Sequence, residues 1–149
     1  MKYLEDFKVG ERHQYMSNPM SSAEIMAFAK EWDPQRLHLD VDYATALHGS
    51  LIASGFQTLL HVFEPVMREF MVGVVNLGGL GFDNLRWPRP VRPDEALDVK
   101  IEVTGITPSR SKPDRGVLAY SLEARNPAGE VVMTLETAAM LRRKGADGE

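Results

Sequence analysis

Apolar and polar positions divide the chain into an early helical part and a later stranded part. Ile25, Phe28, Ala29 and Trp32 recur at the spacing of an amphipathic helix. The start of that helix carries its own signals. Ser21 with Glu24 makes a capping box, and Met20 and Ile25 stand where a hydrophobic staple holds the entering chain. Asp33-Pro34 ends the helix, because the residue before a proline avoids the helical region. Upstream, residues 3–15 predict a turn at Val9-Gly10 and then a short strand. Residues 34–49 have no regular period and predict irregular structure, with one short helix over 42–47. A longer helix begins between Ser50 and Gly55. Leu51, Ile52, Phe56, Leu59, Leu60, Phe63, Val66, Met67 and Phe70 cover much of its circumference, which predicts burial on most sides. Pro65 should kink this helix or mark its last turns.

Beyond Met71 the period changes. Residues 72–87 predict a strand with Gly78, Gly79 and Gly81 in its middle, and residues 97–104 alternate strictly, as a half-buried strand does. Two further strands, 117–124 and 131–141, are joined by Asn126-Pro127-Ala128-Gly129, a hairpin turn. The charged tail from Arg142 is expected to fray. Strands consecutive in sequence pair as neighbours, and a sheet must cover its apolar face. The pattern therefore predicts an α+β fold in which a curved antiparallel sheet wraps around a long central helix, the hotdog arrangement.

Composition narrows the class. A length of 149 residues predicts one domain over 1–149, since two would each bury too little core. With 44% hydrophobic and 26% charged residues, the chain has ordinary soluble composition. A formal charge of −4 gives no overall reach toward nucleic acid or an anionic membrane. The chain has no cysteine, which excludes disulfides, thiolate nucleophiles and thiolate metal sites. The first ten residues include Glu5 and Asp6 and lack the basic-then-apolar run of a signal peptide. No apolar stretch approaches the roughly 20 residues that span a bilayer. A cytoplasmic location is the expectation.

Candidate chemistry begins with Asp33 and His38, five residues apart just before the apolar helix. A carboxylate and an imidazole held together suit proton transfer to and from water and carbon. Spacing alone leaves the alternative open that Asp33 belongs to an Asp-Pro turn and His38 is an incidental loop residue. The second feature is Leu51-Ile52-Ala53-Ser54-Gly55-Phe56. Small residues at a helix start let a ligand approach the backbone, where free N–H groups, Gly55 foremost, stabilise an oxyanion. Ser54 fits there as a cap or as a substrate contact. A third set, Arg86, Arg89, Arg92, Arg110, Lys112 and Arg115, falls near predicted strand ends. It reads either as a solvated rim or as contacts to the phosphates of a nucleotide-like carrier. Asp40 and Asp42 read as turn and helix-start residues, His61 as a packed histidine, and His13 and His48 have no evident partner. Gly78-Gly79-Leu80-Gly81 matches a phosphate loop weakly, because it leads into a strand where a dinucleotide fingerprint needs a helix.

Two blocks carry a family resemblance: Glu31-Trp32-Asp33-Pro34-Gln35-Arg36-Leu37-His38-Leu39-Asp40 and Gly49-Ser50-Leu51-Ile52-Ala53-Ser54-Gly55-Phe56-Gln57-Thr58. With residues 85–94 and 108–116 they resemble the MaoC-like acyl dehydratases, a likeness covering residues 3–141. The resemblance implies a hotdog subunit that assembles as a homodimer or a higher homo-oligomer. It also implies a hydratase or dehydratase that adds or removes water at the 2,3 double bond of an acyl thioester. The thioester is borne by coenzyme A or an acyl carrier protein, and neither metal nor redox cofactor is called for. By resemblance Asp33 and His38 are the catalytic pair and Gly55 gives the oxyanion-hole amide, while Ser54, Arg86, Arg110 and Lys112 are expected to bind substrate. Between the pair this chain has Pro34, Gln35, Arg36 and Leu37, where well-studied hydratases carry an Asn-Pro. A hotdog thioesterase and a non-catalytic acyl-thioester-binding subunit are the alternatives.

Overall fold

Local signals and the sheet's need for cover account for the architecture seen in a computed structural model, which describes residues 1–145. Strand β1 (Arg12–Met16) is followed by helices α1 (Ser22–Trp32), α2 (Arg36–Leu39), α3 (Val41–His48) and α4 (Gly55–Pro65). Then come a π-helical turn (Val66–Phe70) and strands β2 (Asn76–Arg86), β3 (Asp98–Pro108), β4 (Arg115–Arg125) and β5 (Val131–Arg142). The strands form one antiparallel sheet in the order β1-β3-β4-β5-β2. This is the hotdog fold that the pattern predicts.

Helix α1 starts on its capping box, with Glu24 N–H 3.1 Å from Ser21 Oγ and Ser21 N–H 3.3 Å from the Glu24 carboxylate. Met20 and Ile25 are both buried beside it. The inward rows of the sheet are aliphatic and in register: Ile101, Leu122 and Leu135 lie opposite one another across β3, β4 and β5. Against them α4 and its extension bury Thr58, Val62, Pro65, Val66 and Phe70. Pro65 offers no N–H to the helix ladder, and the chain widens into the π turn, where Met71 N–H reaches Val66 O at 3.0 Å.

Four expectations are corrected. The helix α4 is not buried on most sides: Phe56, Leu60 and Met67 lie exposed, because the sheet wraps only one side of it. Residues 36–39, expected to be irregular, form a single helical turn, too short to show a period. Residues 72–75 precede β2 rather than belong to it: Gly73 O and Val75 N–H bond the backbone of Lys2, and Val75 O accepts the N–H of Arg142 at the end of β5. The tail is held as far as Lys144: Arg142 ends β5, and Arg143 Nε lies 2.8 Å from Glu5. Lys144 N–H also reaches Glu5, and its amine pairs with Asp6. The rest of that predicted frayed tail, residues 146–149, lies outside the described residues. Among the described residues no helix is long and apolar enough to cross a membrane.

Gly116 shows how closely the N-terminal turn packs on the sheet. A Cβ there would stand 2.5 Å from Leu4 Cδ2 and 2.7 Å from the Thr107 carbonyl oxygen. The backbone contact cannot be relieved by a rotamer change. Gly116→Ala is expected to cost about 1–3 kcal/mol, read as a lowered midpoint in urea unfolding with an unchanged slope.

Candidate active site

The site forms where α1 stops and α4 starts. Asp33 caps the C-terminus of α1 in a non-helical conformation (φ −150°, ψ 70°), its N–H still bonded to Ala29 O at 2.9 Å. Pro34 prevents another helical turn. The chain then makes the single turn of α2, in which His38 N–H bonds Gln35 O at 3.0 Å, and this brings the imidazole back toward Asp33. Residues 51–54, outside any helix or strand, lead into α4, with Ala53 N–H 2.8 Å from Val91 O.

The hydrogen bonds fix the state of each group. His38 Nδ1 lies 2.8 Å from Ile52 O. A carbonyl only accepts, so Nδ1 carries a proton and Nε2 is the nitrogen free to gain or lose one. Nε2 lies 3.3 Å from Asp33 Oδ2, and the two side chains are only 8% and 13% exposed. Ser54 Oγ donates to the same Oδ2 at 2.7 Å, and Gln35 Nε2 donates to Oδ1 at 2.6 Å. Burial of Asp33 favours its neutral form, but the donors Gln35 and Ser54, with His38 alongside, outweigh it. They hold the carboxyl below its ordinary value, so it is charged.

The pair opens into a cleft of about 420 Å³, within the range of small-molecule sites. Gln35, Ile52, Ala53, Gly55, Phe56 and Thr58 line it with Asp33 and His38, and His48, Trp87, Arg89, Pro90 and Val91 complete the wall. Gly55 is the first residue of α4, where N–H groups have no partner within the helix. A larger trough of about 780 Å³ lies on the polar outer face of the sheet. It includes Arg12, Lys100, Glu102, Glu123 and Glu136, and none of Asp33, His38 or Gly55. Among the described residues no three His, Asp or Glu side chains converge on a metal-binding position.

Asp33, His38 and Gly55 are thus brought together. The other expected contacts are not. Ser54 is fully buried and turned to Asp33 rather than to the cleft, while also accepting from Phe56 N–H at 3.3 Å. Arg86 ends β2 and is exposed outside the cleft lining. Arg110 and Lys112 sit in the β3–β4 connection, where Lys112 N–H bonds Ser109 Oγ and the neighbouring Asp114 carbonyl takes the Arg143 N–H. Of the basic set, Arg89 alone reaches the cleft wall, while pairing with Glu130 at 2.9 Å. Gln35, His48 and Trp87 are cleft residues that the sequence reading did not place there. Gln35 was visible within the Asp33…His38 spacing, whereas no pattern joins His48 or Trp87 to it. His13 pairs with Glu11 at 2.6 Å, and His61, half-buried, faces the Asn18 carbonyl.

The sequence model of the MaoC-like domain matches residues 7–125. The chain belongs to the MaoC-like family. Among solved structures, the MaoC-like dehydratase from Rhodospirillum rubrum is 34% identical with a TM-score of 0.83, covering 97% of this chain and 99% of that one. The (R)-hydratase PhaJ1 from Pseudomonas aeruginosa is 25% identical with a TM-score of 0.71, over 95% and 86% of the two chains. The uncharacterized protein YdeM of Bacillus subtilis is 30% identical over 141 residues, 94% of this chain and 99% of that one. The MaoC-like likeness spans every element that builds the cleft from α1 through β2.

Ser54 is the test of this geometry. Ser54→Ala removes both the cap of α4 and a donor to Asp33, at an expected cost of about 0.5–2 kcal/mol at neutral pH. The wild-type carboxyl has a folded value below its unfolded one, so its contribution is present above the unfolded value and lost as pH falls through the folded value. The stability gap between the two proteins should therefore narrow on acidification but not close, since the cap is pH-independent. A gap constant from neutral to acid pH would disconnect Ser54 from the charge on Asp33.

Proposed function

We propose that this MaoC-like protein is a hydratase or dehydratase acting at the 2,3 double bond of an acyl thioester, converting an enoyl to a 3-hydroxyacyl group and back. The observation that carries the reading is the 3.3 Å approach of His38 Nε2 to a charged Asp33, in a cleft that also holds the first residue of a helix. In hydration, Asp33 holds a water and His38 Nε2 takes one of its protons. The water oxygen bonds to the β-carbon as the double-bond electrons move toward the thioester oxygen. The Gly55 N–H holds that developing charge, and the proton on Nε2 passes to the α-carbon. Water is thereby added with no other reactant, and dehydration is the reverse. Family membership and the likeness to an (R)-hydratase support this direction of chemistry.

A second copy of the chain is part of the reading. Among the described residues strand β2, eleven residues long, pairs with β5 alone, which leaves its other edge open. Leu77, Leu80 and Phe82 are exposed along it, as are Phe56 and Leu60 on α4 and Met67 in the π turn that follows. An open, apolar edge of that length invites pairing with another chain. A homodimer formed through β2 covers both surfaces.

Asp33→Asn and His38→Ala are each expected to lower crotonyl-CoA hydration, followed by loss of enoyl absorbance, by at least about 100-fold, with both variants still folded by circular dichroism though less stable. Near wild-type rates in both would sink the assignment. Release of free thiol without enoyl loss would replace it with thioester hydrolysis, and binding without turnover would leave an acyl-thioester-binding subunit. Leu80→Lys should convert the dimer to monomer in sedimentation velocity.

A further inference from the structure

Trp87 stands apart from the groups assigned so far. An ideal Cβ on Gly55 would lie 2.7 Å from Cε2 and 2.9 Å from both Cδ2 and Cζ2 of its indole. Near-equal approach to three ring atoms places Gly55 beneath the flat face of the ring rather than at its edge. The Phe56 ring meets the indole almost perpendicularly, at 78° with centroids 6.3 Å apart, and holds it there. Trp87 and Arg89 each precede a proline, so the backbone of this segment has little freedom to swing the ring away. Yet Trp87 is 41% exposed and lines the cleft, so part of the indole is open to whatever enters.

We propose that Trp87 touches the substrate: the acyl thioester lies against its indole on the first turn of α4. The ring then shields the Gly55 N–H from water, where a donor aimed at a developing oxyanion acts most strongly. A flat apolar wall favours a planar 2-enoyl group over a bulky acyl group. Gly55 has a second reason to be glycine, since any side chain there would push the wall out of place. This inference rests on the hydratase reading, and its test has a binding arm that does not depend on turnover.

The chain has two tryptophans, the other being Trp32, 66% exposed at the end of α1. In a Trp32→Phe background the emission of Trp87 is recorded during titration with butanoyl-CoA, a saturated thioester that cannot be hydrated, and with free CoA. The expected result is a saturable change with butanoyl-CoA and none at equal concentration of CoA. Trp87→Ala should raise KM for crotonyl-CoA about tenfold, while Trp87→Phe, which keeps an aromatic wall, stays within about threefold of wild type. A merely structural tryptophan would move the melting temperature but neither the ligand-dependent emission nor the Ala-against-Phe split in KM. The proposal is overturned if butanoyl-CoA does not bind, or binds by calorimetry without moving the emission. An equal response to CoA, or a wild-type KM in Trp87→Ala, overturns it too. If butanoyl-CoA saturably changes the emission but wild-type protein does not hydrate crotonyl-CoA, the contact stands and the hydratase reading falls.

Discussion

A helix that begins inside a protein brings N–H groups that nothing within the helix can satisfy, and much of this structure follows from how α4 meets that demand. Ser54 is fully buried at its N-cap and accepts the Phe56 N–H. Its own hydroxyl hydrogen also needs an acceptor in a place that water does not reach, and that acceptor is Asp33. One hydroxyl therefore ties the end of α1 to the start of α4. The adjacent Ile52 carbonyl, in a segment outside the sheet, takes the His38 Nδ1 proton in the same way. The Asp33–His38 pair is assembled from the bonds that keep a buried helix start satisfied.

The same bonds set the charge. A carboxylate with so little contact with water is costly unless it is well bonded. Asp33 receives Ser54 on one oxygen and Gln35 on the other, with His38 beside it. Its charge also sits near the positive end of the α4 dipole. A carboxylate so tied down is better suited to holding a water than to storing a proton. The imidazole, with one nitrogen committed and one open, is suited to moving one. The division of roles proposed for the pair follows from which atoms are already occupied, not from residue type.

Packing explains why the cleft is where it is. The sheet curls over one side of α4 and leaves Phe56 at the cleft and Leu60 further along the helix uncovered, while Phe63 of the same helix packs edge-on against Phe82 of β2. Apolar surface that would be a liability on an isolated subunit lies continuous with the site's own wall, Phe56 against Trp87. The proposed assembly and the candidate site thus draw on one face of one helix.

Much of this was legible in the chain. The capping box at Ser21, the stop at Asp33-Pro34, the helix before four strands and the Asp33…His38 spacing act over a few residues, and short-range sterics and periodicity determine them. Family resemblance then singled out Asp33, His38 and Gly55 from residues that spacing alone left ambiguous. Pattern could not say that Ser54 would face Asp33 instead of the ligand, or that Arg110 and Lys112 would sit outside the cleft wall. Nor could it bring His48 and Trp87 into one wall with residues up to 54 positions away. Those outcomes depend on which way a side chain points once helix and sheet have docked, and on which buried donors and acceptors are then left to satisfy. Local sequence specifies the elements and their ends, whereas the partners of a buried hydroxyl or an indole face exist only after the chain has closed around them.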